Sequence, residues 1–199
     1  MRIVTAQELE SWLASGKVLE QDARGPKVVA LDSGTYLKIF YTRRHPLLAR
    51  MFPYAEKFAR NVALLNEKNI PTPEVIETFW LSKRTGLTGC IYRPLPGESL
   101  EQILHKSSDA LYTYIPKLAK FIKTLHEEGI YFRSLHLGNI ILTPDGELGL
   151  IDVLDLRKNK QKLSSRLVKR NFNHLQAYTI RKKIYSFPLK ELIKIYESI

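Results

Sequence analysis

Residues Tyr131–Arg157 read YFRSLHLGNIILTPDGELGLIDVLDLR, and the architecture of the whole chain hangs on how this stretch folds. It parses as a short loop, a strand, a turn, a second strand and a carboxylate just beyond. Ile140–Thr143 is a short, mostly β-branched run. Pro144-Asp145-Gly146 is a turn with a mechanism: proline presets φ, and glycine accepts a positive φ. Glu147–Val153 is expected to return as the partner strand. Such a hairpin sets Asn139 just before one strand and Asp152 near the end of the other, close enough to share a metal ion. An amide oxygen and a carboxylate are hard oxygen ligands that suit Mg²⁺, which keeps several waters and also takes phosphate oxygens.

This segment resembles the catalytic loop and metal-binding segment of the protein-kinase-like fold. Kinases carry H-R-D-x-x-x-x-N, with the aspartate as base and the asparagine on Mg²⁺, followed by D-F-G. Here Phe132-Arg133-Ser134 is followed by Asn139 at the same five-residue step, with serine in the aspartate position. Leu135-His136-Leu137-Gly138-Asn139 also resembles the D-L-H-x-G-N loop of aminoglycoside and choline kinases. Asp152-Val153-Leu154 stands where D-F-G would be. The chain is most similar to the lipopolysaccharide-core sugar kinases (the Kdo and heptose kinases), which lack D-F-G as well. The resemblance implies an α+β, two-lobed protein-kinase-like fold. Its antiparallel-sheet N-lobe would span 1–94, and a reduced, mainly helical C-lobe 95–199.

Upstream, Ala6–Ser15 reads as an amphipathic helix with Thr5 as N-cap ahead of Glu8. Val18–Gln21, Val28–Leu31 and Tyr36–Tyr41 read as a meander of strands. Lys38 sits in the third of these, about a hundred residues before Asn139. The resemblance makes it the lysine that contacts the α- and β-phosphates of ATP; the alternative is an outward-facing lysine, which strand alternation permits. Between the first two strands Gly25 is the only glycine, so no glycine-rich phosphate loop is present. Pro53–Lys68 is a helix whose apolar stripe is expected at Ala59, Val62, Ala63 and Leu65. Glu56 is the candidate partner of Lys38, although Phe58 or Asn61 fits the family spacing better. Val75–Phe79 and Gly89–Tyr92 are further strands. Arg93–Gly97 resembles the kinase hinge, where backbone near Tyr92–Leu95 would hold adenine. Leu111–Glu128 reads as one long helix ending at a C′ glycine, Gly129. His126, just before the loop, reads as a packing group. Arg166–Ile184 reads as a basic helix and Leu189–Tyr196 as a terminal one. Past Arg157 only 42 residues remain, too few for an activation segment and full C-lobe.

A chain of 199 residues with 44% hydrophobic content suffices for one substantial core or two smaller lobes. The single cysteine, Cys90, excludes an internal disulfide and a cysteine-rich zinc site. No apolar run approaches the roughly 18 residues a spanning helix needs, and the N-terminus does not read as a secretory signal. A cytoplasmic location is expected. The net charge of +11 is unevenly placed: Leu156–Lys190 holds eleven Lys and Arg and no Asp or Glu, leaving twenty of each sign elsewhere. Such a run is either a solvated face or a docking surface for an anion. Candidate anions are a phosphorylated glycolipid, nucleic acid, or an anionic membrane surface met peripherally at its inner face through 156–190.

With ATP and Mg²⁺ as implied cofactors, Lys38, Asn139 and Asp152 would supply positioning and charge neutralisation. Ser134 lacks a carboxylate's basicity but can orient a hydroxyl. His136 and Asp155 are the two groups near enough in sequence to substitute as base; a loop-fixing hydrogen bond is the alternative for His136, and capping or pairing with Arg157 or Arg133 for Asp155. Three functions follow: a lipopolysaccharide-kinase-like transferase acting on a sugar hydroxyl of an anionic glycolipid, a pseudokinase serving as a nucleotide-binding or scaffold module, and, on charge alone, a nucleic-acid-binding protein.

Overall fold

The computed structural model describes residues 1–42 and 45–199, the side chains of 108 and 109 excepted. The chain is a mixed α/β protein, compatible with the α+β class, with two compact units, Met1–Leu95 and Pro96–Ile199.

The first unit is built on a six-stranded sheet. Its elements are β1 (Arg2–Ile3), α1 (Ala6–Ser15), β2 (Lys17–Asp22), β3 (Gly25–Ala30), β4 (Tyr36–Phe40), α2 (Pro46–Met51), α3 (Tyr54–Glu67), β5 (Glu74–Ser82) and β6 (Leu87–Arg93). The strand order is β1-β5-β6-β4-β3-β2, antiparallel throughout except for the parallel β1–β5 pair. Thr5 caps α1 as its sequence predicts, accepting the Glu8 N–H at 3.1 Å. Strand alternation then divides β4 between two faces. Leu37 and Ile39 join Val4, Val29 and Phe79 in a buried cluster closed by Trp12 of α1, whose ring lies 5.3 Å from Phe79. Lys38 and Phe40 point the other way, toward α3, where Phe58 meets Phe40 at 5.6 Å.

Two details of this unit differ from the sequence-based expectation. The buried stripe of α3 is Ala55, Phe58, Val62 and Leu65, while Ala63 is exposed and Ala59 half-buried. Large side chains, not alanines, set which face meets the sheet, since a buried Phe contributes roughly 1.5–3 kcal/mol. The β2–β3 connection is a two-residue turn closing on the Asp22–Gly25 pair, where Asp22 accepts the Arg24 N–H at 2.8 Å. Arg24 holds the Asp22 carboxyl far below the usual carboxylate range.

The second unit contains β7 (Glu98–Ser99), α4 (Leu100–Lys106), α5 (Ser108–Tyr112), α6 (Ile115–Glu127), β8 (Ile130–Phe132), β9 (Ile140–Leu142), β10 (Leu148–Leu150), β11 (Leu156–Lys158), α7 (Ser165–Arg181) and α8 (Leu189–Ser198). Ser99 and Gln102 form a complete capping box that starts α4. The expected long helix from Leu111 is two helices. Pro116 lacks an N–H, which only the first turn of a helix tolerates, so a new helix begins at Ile115 with proline in its first turn. Ile115, Leu118, Ala119, Ile122 and Leu125 make the buried face of α6. Gly129 takes φ 68° just past its end, as a C′ glycine does.

The β9–β10 hairpin has the expected register, Ile140 opposite Leu150 and Leu142 opposite Leu148, with Thr143 Oγ1 tying the turn through Asp145 and the Glu147 backbone. The returning strand stops at Leu150, however, three residues short of Val153. The Ile151 N–H makes a last bond to the Asn139 carbonyl at 3.0 Å, and Asp152 then turns into the left-handed region at φ 52°, ψ 44°. A one-turn 3₁₀ helix, Val153–Asp155, leads to β11, which pairs antiparallel with β8. Among the described residues no helix is long and apolar enough to cross a membrane.

Candidate functional site

The loop between β8 and β9 carries the residues singled out from the sequence. Ser134 donates its hydroxyl to Asp155 Oδ2 at 2.6 Å, and Arg133 Nε donates to the same oxygen at 3.2 Å. The β8–β11 register explains the pairing: Leu156 stands opposite Phe132, so Asp155 arrives beside Arg133 and Ser134. A carboxylate is thus present at the serine, contributed by the segment after the hairpin and not by the loop.

Asn139 is almost fully buried and its amide nitrogen is committed twice, to the Ser134 carbonyl at 3.0 Å and to His136 Nε2 at 3.3 Å. That fixes the amide orientation and turns Oδ1 outward from these bonds; among the described residues no donor occupies it. The Ile151-to-Asn139 backbone bond places Asp152 one residue from Asn139 across the hairpin. Asp152 is exposed and left-handed, a conformation that Asp tolerates better than most side chains yet that still costs about 1–2 kcal/mol. Strain of this kind collects at functional positions. Asn139 Oδ1 with one carboxylate and waters is a donor set that fits Mg²⁺. Among the described residues no cluster of three or more His, Cys, Asp or Glu side chains is arranged to hold a metal.

His136 lies flat against Tyr178 of α7, ring centroids 4.0 Å apart and planes 3° from parallel. Burial lowers its pKa, with Glu101 opposing the shift. Accepting from Asn139 leaves Nδ1 as the protonated nitrogen, and Nδ1 is buried without a hydrogen-bond partner among the described residues. The Tyr178 hydroxyl donates to Glu101 Oε2 of α4 at 2.5 Å, and burial together with Glu101 pushes its pKa up. This pair presses on Gly138, where a Cβ would come within 2.8 Å of Glu101 Oε2 and 2.9 Å of the Tyr178 hydroxyl.

A second brace enters from below. Asn171 Nδ2 donates to the Phe132 carbonyl at 2.7 Å, which leaves its Oδ1 to accept from His126 Nε2 at 3.1 Å. His126 Nδ1 then accepts the Tyr196 hydroxyl at 2.9 Å. One neutral imidazole therefore joins α6, α7, α8 and β8, and burial lowers its pKa to about 4. His126 is the packing group its sequence position suggests. Glu101, Asn171, Tyr178 and Tyr196 were not legible as site residues, because nothing local distinguishes them from ordinary helix positions.

The remaining candidates belong to the first unit. Lys38 projects from β4 over Phe58, its Nζ 5.7 Å from that ring's centroid, and sits opposite the buried Cys90. Burial pushes the Cys90 thiol up to about 12, so it stays an inert thiol. Glu56 follows the buried Ala55 by one residue, which at 100° per residue places it about 140° around α3 from the centre of the buried stripe. The α3 residue brought to Lys38 is Phe58, not Glu56. Tyr92 is buried, packing its ring against Tyr36 at 5.7 Å and Phe58 at 6.0 Å, and Leu95 is half-buried at the unit's end.

No family model matches this chain, and no curated protein matches it.

Proposed function

We propose that the chain is an ATP-dependent phosphotransferase of the lipopolysaccharide-kinase type, with a two-lobed protein-kinase-like arrangement, moving a phosphoryl group to a sugar hydroxyl of an anionic glycolipid. The observation that carries this reading is the pairing of Ser134 with Asp155 at 2.6 Å, beside an asparagine amide whose nitrogen is engaged twice and whose oxygen meets no donor among the described residues. Bound Mg²⁺-ATP would supply the γ-phosphoryl group and neutralise its charge. Asn139 and Asp152 would hold the metal, Lys38 would meet the phosphates, and backbone near Tyr92–Leu95 would hold adenine. The acceptor hydroxyl gives its proton to Ser134 Oγ as Ser134 gives its own to Asp155 Oδ2. The carboxylate thereby does at one remove what the loop aspartate does in kinases. His136, with Nε2 held by Asn139 and its ring on Tyr178, positions the loop and does not serve as the base.

Calorimetric titration with ATP, with and without Mg²⁺, tests the metal site. Binding should require Mg²⁺ and vanish in Asp152→Ala; unchanged metal-dependent binding in that variant would falsify the assignment. In an active preparation Ser134→Ala and Asp155→Asn should each lower kcat by about 10²–10⁴-fold with KM for ATP unmoved.

A pseudokinase is the second reading, favoured by the two-residue β2–β3 turn and by Glu56 lying away from Lys38. Mg²⁺-dependent ATP binding without turnover on any sugar acceptor would select it.

A further inference from the structure

We propose that the outer face of α7, with the turn that follows it, is a docking surface for an anionic phospholipid bilayer. At 100° per residue, Arg166, Lys169, Arg170, Ile180 and Arg181 fall within an arc of about 120°, and all are exposed. The opposite face buries Asn171, Phe172, Leu175, Tyr178 and Thr179. The surrounding chain, 156–190, holds no acid to neutralise this stripe, and all eleven of its cations are exposed. Among the described cations of 156–190 only Lys182 is ion-paired, to Glu101 at 3.5 Å. A merely solvated face would interleave acids with its bases at helical spacing, which supports an isolated helix; this one does not.

The helix end adds apolar groups of a particular kind. The Ile184 N–H bonds the Thr179 carbonyl at 2.8 Å and the Lys183 N–H bonds Ile180 at 3.0 Å, the two bonds of a Schellman cap. The left-handed C′ position, ordinarily glycine, is occupied by Lys183 at φ 57°. The cap leaves Ile184 buried and Tyr185 79% exposed, and Ile180 in the preceding turn is 59% exposed. An exposed aliphatic and an exposed tyrosine, with the exposed Arg181, Lys182 and Lys183 between them in the chain, match a lipid interface, where cations meet headgroup phosphates and apolar groups reach the acyl boundary. Single-stranded nucleic acid calls instead for aromatic stacking platforms along a groove, and the exposed apolar residue on α7 itself is an isoleucine.

This surface adjoins the candidate site. Arg181 stands 5.5 Å and Lys182 5.8 Å from the ring of Tyr178, which stacks on His136. A bilayer held by α7 would bring lipid-borne groups beside the Ser134–Asn139 loop. The docking itself requires neither nucleotide nor turnover, so it stands apart from the phosphotransferase reading.

Co-sedimentation of the full chain with vesicles tests it, using phosphatidylcholine alone and phosphatidylcholine mixed with phosphatidylglycerol, no ATP present. Binding is expected only to the mixed vesicles. The variant R166Q/K169Q/R170Q/R181Q should lose about a hundredfold or more in partitioning, at roughly fivefold per cation near an anionic surface, with an unchanged circular dichroism spectrum. The variant I180S/Y185S should weaken vesicle binding and leave any binding to single-stranded RNA unmoved. Equal binding to both vesicle types, a four-residue variant that sediments like the parent, or binding to RNA in preference to mixed vesicles would each overturn the proposal.

Discussion

A buried imidazole makes the second unit sensitive to acid. In His126 one nitrogen donates to Asn171 and the other accepts from Tyr196, an arrangement only the neutral ring satisfies without reversing a donor. Its folded pKa of about 4 lies below the ordinary value of 6.5, so the unfolded chain takes up the proton first as pH falls. The associated stability is complete above pH 6.5 and is lost progressively down to about pH 4. Urea unfolding should register a loss of about 2.5 kcal/mol between pH 7.5 and 4.5 beyond that of His126→Gln, from 1.36 kcal/mol per unit of pKa. Parallel pH profiles for the two proteins would assign the acid sensitivity elsewhere. At this scale the sequence already marked His126 as a packing group and named Arg133 and Arg157 as rival partners for Asp155. The choice of Arg133 follows from the β8–β11 register, a fact about two strands separated by a whole hairpin.

α7 works through both faces. Its inner residues brace the loop, Asn171 at the Phe132 carbonyl and Tyr178 on His136, while its outer residues carry the cations. The clamp of Glu101 and Tyr178 leaves no room at Gly138. Gly138→Ala should therefore lower stability by about 1–3 kcal/mol, the usual range for overpacking, read as a drop in Tm. In Tyr178→Phe the obstructing hydroxyl is gone, so the double variant should cost less than the sum of the two singles. Strict additivity would mean that the alanine is accommodated without touching the clamp. Elements as such were largely legible: α1 with its Thr5 cap, the β9–β10 turn, Gly129 at the end of α6 and the basic helix all follow from periodicity and end signals. The misread boundaries have local causes of another kind. Pro116 restarts a helix that its apolar period would continue, and Asp152 leaves the sheet because the last rung belongs to Asn139.

Over the whole molecule the excess of charge is the dominant long-range property. With a net charge of +11 and a sequence pI near 9.7, the chain is cationic throughout the physiological pH range. Screening shortens from about 10 Å at 0.1 M salt to about 3 Å at 1 M. Attachment to mixed vesicles should accordingly disappear toward 1 M NaCl, followed by sedimentation, and should change little between pH 6 and 8 because Lys and Arg do not titrate there. Persistence at high salt would point to apolar insertion as the main force. By itself the sequence determined the α+β content, the hairpin that sets Asn139 beside Asp152, the helix caps and the placement of charge. Each depends on residues close together in the chain, where turn chemistry and periodicity act directly. Only the tertiary structure decided that Asp155 serves Ser134, that Phe58 and not Glu56 meets Lys38, and that Glu101 closes on a tyrosine 77 residues away. Those contacts join separate elements, and packing of large buried side chains, which no local pattern encodes, selects among the partners that helix and strand periodicity leave open.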